Sequence, residues 1–180
     1  MEASLGNQLG NMKKILLCLI PLFLLSSCTK SEKDIVDDLR DYQDYAEFSL
    51  NSIDELYSKE EENYLVEIYF PECSHCKNIK SKIFDYIDAQ KDDETLKKMY
   101  IFDIRSSSTQ EGAKNREKFK VKPENYSEKR DILIDEMKAN KPSLLIDTYF
   151  FGTPSLYEIK NGSFLDLCIG ETQIINYLSL

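Results

Sequence analysis

The sequence predicts an α/β fold in which a central mixed sheet is flanked by helices. The first indication is a nearly continuous apolar and aromatic run over residues 64–70, which is typical of a strand buried on both faces. A second run of this kind covers residues 99–104, and a helical pattern lies between the two. Residues 155–169 are predicted to form a hairpin, because Asn161-Gly162 suits a type I′ turn between two strands.

Helical periodicity predicts the remaining elements. Apolar residues recur at three-to-four spacing within residues 34–59, and a break near residues 50–52 is expected to start a second short helix. The other predicted helices cover residues 74–89, 109–118, 127–139 and 171–178. The middle two form a helical insertion, about residues 106–148, between the second strand and the hairpin.

Composition limits the classes of function. The 180 residues carry a net charge of −9, and 42% of them are hydrophobic, which is sufficient for a packed core without a disulfide scaffold. The negative charge argues against nucleic acid as a partner and against a polybasic membrane patch. Because His75 is the only histidine in the sequence, a conventional zinc cluster is hard to assemble, and we expect neither a metal nor a cofactor.

The N-terminus has the features of a targeting segment. Lys13 and Lys14 precede an apolar stretch, residues 15–25, that is shorter than the roughly 20 residues needed to cross a bilayer. Small residues then lead to Cys28 in the order Leu-Ser-Ser-Cys, which resembles the lipobox of bacterial lipoproteins. The resemblance implies that residues 1–27 are a signal peptide and that Cys28 carries a lipid anchor. An ordinary cleaved signal, or a buried apolar helix that ends in a cysteine, is the alternative interpretation.

The motif Cys73-Ser74-His75-Cys76 follows the first predicted strand and opens the next helix. Two thiols three positions apart can close a disulfide with little backbone movement. The amide groups and the dipole at the start of a helix favour the thiolate of the first cysteine, so the arrangement indicates redox chemistry. Metal binding is the alternative, but two cysteines and one histidine leave a tetrahedral ion without its fourth ligand.

With Cys73-x-x-Cys76 after a buried strand and Thr153-Pro154 ahead of a terminal hairpin and helix, the chain resembles the thioredoxin superfamily. The resemblance covers residues 60–180 and implies a thioredoxin-like domain there. The helical insertion is placed as in the DsbA-type oxidases. The segment before this domain, residues 28–59, is then a tether followed by an N-terminal helical segment.

The resemblance also implies a role for each residue of the motif. Cys73 is expected to be the nucleophile, and Cys76 the resolving thiol that attacks the mixed disulfide and releases the partner. Pro154 is expected to follow a cis peptide bond that turns the backbone of Thr153 toward the thiols, where a partner chain can pair with it. His75 is similar to the histidine of the DsbA dipeptide, and a cationic imidazole beside the thiolate would favour an oxidase over a reductase.

Two further residues have open assignments. Glu67 lies six residues before Cys73, where thioredoxins carry a buried aspartate. It could take the proton from Cys76 during resolution, or it could point to solvent from a strand end. Cys168 lies alone in the last predicted strand, either as a buried inert thiol or as a regulatory or second shuttle thiol.

The sequence therefore predicts a membrane-anchored, extracytoplasmic thiol-disulfide oxidoreductase. Its expected partners are exported proteins or peptides with thiols or disulfides, a redox partner that resets the site, and the membrane through the lipid on Cys28. Disulfides can persist in that compartment. The alternative is an accessory lipoprotein that uses the same fold to bind a peptide, for example beside a peptide or bacteriocin export system.

Overall fold

The computed structural model of the chain describes residues 39–105 and 107–179. Arg40–Leu180 forms one compact unit. The predicted signal peptide and the lipidation site at Cys28 lie outside the described residues. Within the two described ranges, no helix combines the length and the apolar character that crossing a bilayer requires.

A mixed sheet forms the centre of this unit, as the sequence predicts. In the described part of the chain its strands are β1 (Asn63–Tyr69), β2 (Lys98–Asp103), β3 (Ser155–Lys160) and β4 (Ser163–Ile169). Their order across the sheet is β2-β1-β3-β4, with β1 parallel to β2 and antiparallel to β3. The turn of the β3–β4 hairpin has φ angles of 51° at Asn161 and 66° at Gly162, which both lie in the region that a type I′ turn requires.

Helices precede, interrupt and follow the strands. The α-helices of the described residues are α1 (Ser74–Asp92), α2 (Gln110–Glu117), α3 (Arg130–Asn140) and α4 (Glu171–Leu178). Among the described residues, three short 3-10 helices cover Tyr42–Phe48, Ile53–Tyr57 and Leu145–Asp147. The predicted insertion between β2 and β3 is confirmed, because it contains α2 and α3 close to their expected positions.

The segment before β1 differs from the expected helix. Asp41 caps a 3-10 helix there through two hydrogen bonds. Its carboxylate accepts a hydrogen bond from the backbone N–H of Tyr42 at 2.8 Å, and the carboxylate of Asp44 accepts one from the backbone N–H of Asp41. That helix is kinked at Tyr45, where φ is −114°. The second short helix begins after Ser52, which caps it as the predicted break suggested.

Apolar side chains cover both faces of the sheet. Side chains alternate along β1, so that Leu65, Glu67 and Tyr69 share one face while Val66 and Ile68 share the other. The first face packs against α1, α4 and the first 3-10 helix. The second face packs against α3 and the second 3-10 helix. This alternation places Glu67 on the same face as the helix that carries the C-x-x-C motif.

Candidate active site

The α1 helix begins directly at the C-x-x-C motif. Cys73 caps the helix, and its sulfur accepts a hydrogen bond from the backbone N–H of Cys76 at 3.4 Å. The two cysteines are separate thiols in the structure. Cys73 is 9% exposed, whereas Cys76 is only 1% exposed. Cys73 is therefore the more accessible residue of the pair.

The two thiols differ in acidity. Burial raises the pKa of the Cys73 thiol, but hydrogen bonds from the side chain and backbone of Cys76, from the side chain of Thr153 and from the backbone of His75 outweigh burial and lower it below its usual value. Burial, and next the contact with Cys73, raise the pKa of Cys76 far above that of a free thiol. The negative charge of the pair is therefore favoured on Cys73 and the proton on Cys76.

The loop before β3 faces the motif. The peptide bond between Thr153 and Pro154 is cis, as predicted. The Sγ atom of Cys73 lies 3.7 Å from the backbone oxygen of Thr153. The start of β3 and the start of α1 thus form the two walls of the site, with the nucleophile candidate between them.

Glu67 lies beneath the motif and is fully buried, at 0% exposure, so the solvent-facing alternative is wrong. Burial is the main cause that raises the pKa of its carboxyl to about 8, while a hydrogen bond from Tyr42 lowers it and the charge on Cys73 raises it. The hydroxyl of Tyr42 donates to Oε1 of Glu67 at 3.3 Å. The second oxygen, Oε2, is buried and has no hydrogen-bond partner among the described residues.

The imidazole of His75 points toward α4 and is 68% exposed. Its Nδ1 atom lies 3.5 Å from Oε2 of Glu171, and the amide of Asn78 donates to the same oxygen at 3.1 Å. The backbone of His75, rather than its ring, provides a hydrogen bond to Cys73. A role of the imidazole charge at the thiolate stays a prediction.

Cys168 lies on β4, opposite Leu156 of β3. It is half-buried and packs against the core on the α1 and α4 side of the sheet. Burial raises the pKa of its thiol to about 11. These surroundings favour the inert alternative for this thiol.

Sequence reasoning missed one residue of this site. Its spacing in the sequence places Tyr42 in the apolar stripe of the predicted N-terminal helical segment, outside the predicted domain, and indicates no contact with Glu67. The one available signal was chemical, since a tyrosine in a buried stripe needs a partner for its hydroxyl. The structure provides that partner 25 residues along the chain.

The parallel β1-α1-β2 unit, the cis-proline at the start of an antiparallel hairpin and the closing helix define a thioredoxin-like fold with a dithiol site. No protein-family model and no curated protein matches the sequence.

Thioredoxins are among the similar solved structures. Mitochondrial thioredoxin 3 from Saccharomyces cerevisiae is 15% identical over 74% of this chain and 92% of its own, with a TM-score of 0.39. Plasmodium falciparum thioredoxin is 17% identical over 73% and 92%, with a TM-score of 0.38. Chlamydomonas reinhardtii thioredoxin f2 is 11% identical over 73% and 95%, with a TM-score of 0.39. At these values the fold assignment depends on the strand order and the site geometry above, not on the alignments.

Proposed function

We propose that this protein is a thiol-disulfide oxidoreductase that exchanges disulfides with exported proteins or peptides through Cys73 and Cys76. The observation that supports it most is the position of the Cys73 sulfur. It is the more accessible thiol of the pair, it caps α1, and it faces the backbone of Thr153 next to a cis-proline. A partner chain that pairs with the Thr153 backbone would present its own sulfur to Cys73.

The first step is an exchange at Cys73. In the reducing direction, the Cys73 thiolate attacks one sulfur of a partner disulfide. The partner's S–S bond breaks, a bond between Cys73 and that sulfur forms, and the other partner sulfur leaves as a thiolate. The lowered pKa of Cys73 supports this role, because the thiolate is the nucleophilic form.

The second step releases the partner. The Cys76 thiol gives its proton to the carboxylate of Glu67 and attacks the sulfur of Cys73. A Cys73–Cys76 disulfide forms, the partner leaves as its second thiolate, and two electrons have passed from this protein to the partner. In the oxidising direction the same steps run in reverse, and the carboxylic acid of Glu67 protonates the departing Cys76 sulfur.

The direction we favour is oxidation of the partner. Interactions that stabilise the Cys73 thiolate stabilise the reduced form of the pair, and this makes the disulfide a stronger oxidant. The hydrogen bonds from Cys76, Thr153 and His75 all stabilise this thiolate, because each of them lowers the pKa of Cys73. A redox partner that restores the Cys73–Cys76 disulfide completes the cycle.

The location that we assign is the outer face of the cytoplasmic membrane, with the lipid on Cys28 as the anchor. Labelling cells with radioactive palmitate should mark the protein, and the Cys28→Ala variant should lose both the label and the membrane fraction. If the Cys28→Ala variant keeps the label, the lipid is not attached to Cys28 and this assignment is wrong.

The exchange function is tested by trapping in cells. In Cys76→Ser the second step is blocked, so partner proteins should accumulate on Cys73 as adducts that a reductant releases. The double variant Cys73→Ser with Cys76→Ser is the control and should carry none. Cys168→Ser should leave the adducts unchanged. Absence of adducts in Cys76→Ser would contradict the proposed oxidoreductase function.

The second candidate is a peptide-binding accessory protein without turnover. A groove of about 490 Å³ beside the cis-proline loop supports it, since aromatic and apolar side chains line it, among them Phe119, Val121, Phe150 and Phe151. The double serine variant separates the candidates. A cellular phenotype retained without both thiols favours binding, and a lost phenotype favours exchange.

A further inference from the structure

Tyr42 makes the one direct hydrogen bond to the buried carboxyl of Glu67 within the described residues. We propose that Tyr42 is a positioning residue for the proton transfer between Glu67 and Cys76. This inference rests on the exchange function proposed above. It adds to the site a residue from the segment before β1.

The hydrogen bond selects which carboxyl oxygen reacts. The Tyr42 hydroxyl holds Oε1 of Glu67 at 3.3 Å. Oε2 is then the oxygen left without a hydrogen-bond partner in the described part of the chain, although it is buried. A buried carboxylate oxygen without a hydrogen-bond partner costs free energy, and a proton on that oxygen removes the cost. The Cys76 thiol supplies this proton during resolution. Fixing Oε1 therefore leaves Oε2 to take the proton.

Aromatic packing holds the Tyr42 hydroxyl in place. Its ring stacks on Tyr69 with centroids 3.5 Å apart and 10° between the planes. The edge contact with Phe84 has a centroid distance of 5.1 Å. Tyr69 belongs to the strand that carries Glu67, and Phe84 belongs to the helix that carries Cys76. The ring is thus packed against both elements between which the proton moves.

Tyr42 also lines a polar cavity. Together with Tyr69 it lines a cavity of about 570 Å³ that Asp41, Asp103 and Arg105 border as well. Water in such a cavity would contact Tyr42. Tyr42 therefore contacts both the buried acid and this cavity.

The groups that face Glu67 come from three elements. Tyr42 comes from the first 3-10 helix, Cys73 and Cys76 from α1, and Tyr69 from β1 itself. Burial, and next the carboxyl of Glu67, raise the pKa of Tyr42 far above its usual value, so that its hydroxyl is a neutral donor. Its hydrogen bond is the interaction that lowers the pKa of Glu67 against burial. Without it the acid would hold its proton to higher pH.

The test follows the second step directly by stopped flow. The full chain carries Cys18→Ser, Cys28→Ser and Cys168→Ser, so that the motif alone reacts with 5,5′-dithiobis(2-nitrobenzoate). Cys73 releases the first thionitrobenzoate, and attack by Cys76 releases the second. We expect the rate of the second release to rise with pH as Glu67 loses its proton, around a midpoint that burial raises above the usual pKa of a carboxyl. Tyr42→Phe should move this midpoint upward by about one pH unit, and slow the release below the midpoint by up to tenfold.

The matched control is Tyr45→Phe. Tyr45 lies on the same 3-10 helix, stacks on the same Phe84 and donates its hydroxyl to a carboxylate, that of Asp88, at 2.8 Å. Its removal should leave the midpoint unchanged. In the Glu67→Gln background, Tyr42→Phe should add no further change, because the acid through which Tyr42 acts is gone.

Each outcome decides one hypothesis. A wild type that never releases the second thionitrobenzoate contradicts the exchange function itself. A wild type that does so, with the same midpoint in Tyr42→Phe, overturns the role of Tyr42. If Tyr42→Phe still shifts the midpoint in the Glu67→Gln background, the role of Tyr42 is overturned as well. Should Tyr42→Phe not fold, replacement of Tyr42 by 3-fluorotyrosine keeps the ring and strengthens the donor. The midpoint must then move downward, and an unchanged midpoint overturns the proposal.

Discussion

The thiol of Cys73 lies 3.7 Å from the backbone oxygen of Thr153, although the two residues are 80 positions apart in the sequence. The contact joins the start of α1 to the cis-proline loop before β3. It places the more acidic sulfur of the dithiol pair beside the loop that we propose to pair with a partner chain. The side chain of Thr153 also contributes to the lowered pKa of Cys73.

We therefore expect Thr153→Val to raise the pKa of Cys73, because the hydroxyl that supports the thiolate is replaced by a methyl group. Thiolate absorbance at 240 nm, followed against pH, measures the change. Thr153→Ser keeps the hydroxyl and should restore the wild-type titration. Equal titrations of Thr153→Val and the wild type would show that this side chain has no part in the acidity.

His75→Ala should have a smaller effect than Thr153→Val on the same titration. The imidazole is largely exposed and lies against Glu171, while the backbone N–H that supports Cys73 remains in the variant. Glu171→Gln provides the companion measurement and should likewise change the thiolate titration little. A large rise of the Cys73 pKa in His75→Ala would instead assign the acidity to the imidazole charge.

Glu67→Gln should stabilise the protein above neutral pH. The unfolded carboxyl titrates near pH 4.5, and the folded one near 8. Between these values the folded state holds a proton that the unfolded state has lost, so the free energy of unfolding decreases as pH rises. The glutamine variant lacks this decrease. Between pH 5 and pH 9, the free energy of unfolding of Glu67→Gln should therefore improve relative to that of the wild type by a few kcal/mol. Each pH unit between the two pKa values contributes on the order of 1.4 kcal/mol to this difference.

Urea unfolding of both proteins at pH 5 and pH 9 measures this difference. The exposed substitution Glu94→Gln is the control and should change neither value. If the wild type and Glu67→Gln lose the same stability between the two pH values, the buried acid does not titrate as described.

Cys168 should react slowly with iodoacetamide. Burial raises its pKa to about 11, so at pH 8 roughly one molecule in a thousand carries the thiolate there. Mass spectrometry after a short pulse at pH 8 should find Cys73 modified at least tenfold more than Cys168. Comparable modification of the two would favour the regulatory or shuttle role.

Local patterns in the sequence predict most of the fold. A few neighbouring residues are sufficient to predict three of its features. These are the apolar strand β1, the Asn161-Gly162 turn and the helix that starts at the C-x-x-C motif. The burial of Glu67 also follows from strand alternation, because Leu65 and Tyr69 on the same face are core residues.

Contacts between distant segments explain what the sequence did not predict. The hydrogen bond from Tyr42 to Glu67 joins a 3-10 helix to a strand, and no periodicity encodes such a pair. The position of His75 against Glu171 depends on how α4 packs beside α1, which is decided by tertiary packing. A dipeptide does not fix the direction of an exposed side chain, so the proximity of the imidazole to the thiolate stays a prediction.

The most direct test of the central claim is to identify, by quenched mass spectrometry, which cysteine first joins a partner sulfur. The reduced full chain is mixed with glutathione disulfide and stopped with acid at increasing times. The account predicts glutathione on Cys73 first, then a Cys73–Cys76 disulfide with glutathione released. In Cys76→Ser the adduct on Cys73 should persist. A first adduct on Cys76 or Cys168, or a Cys73 that stays a free thiol throughout, would contradict it.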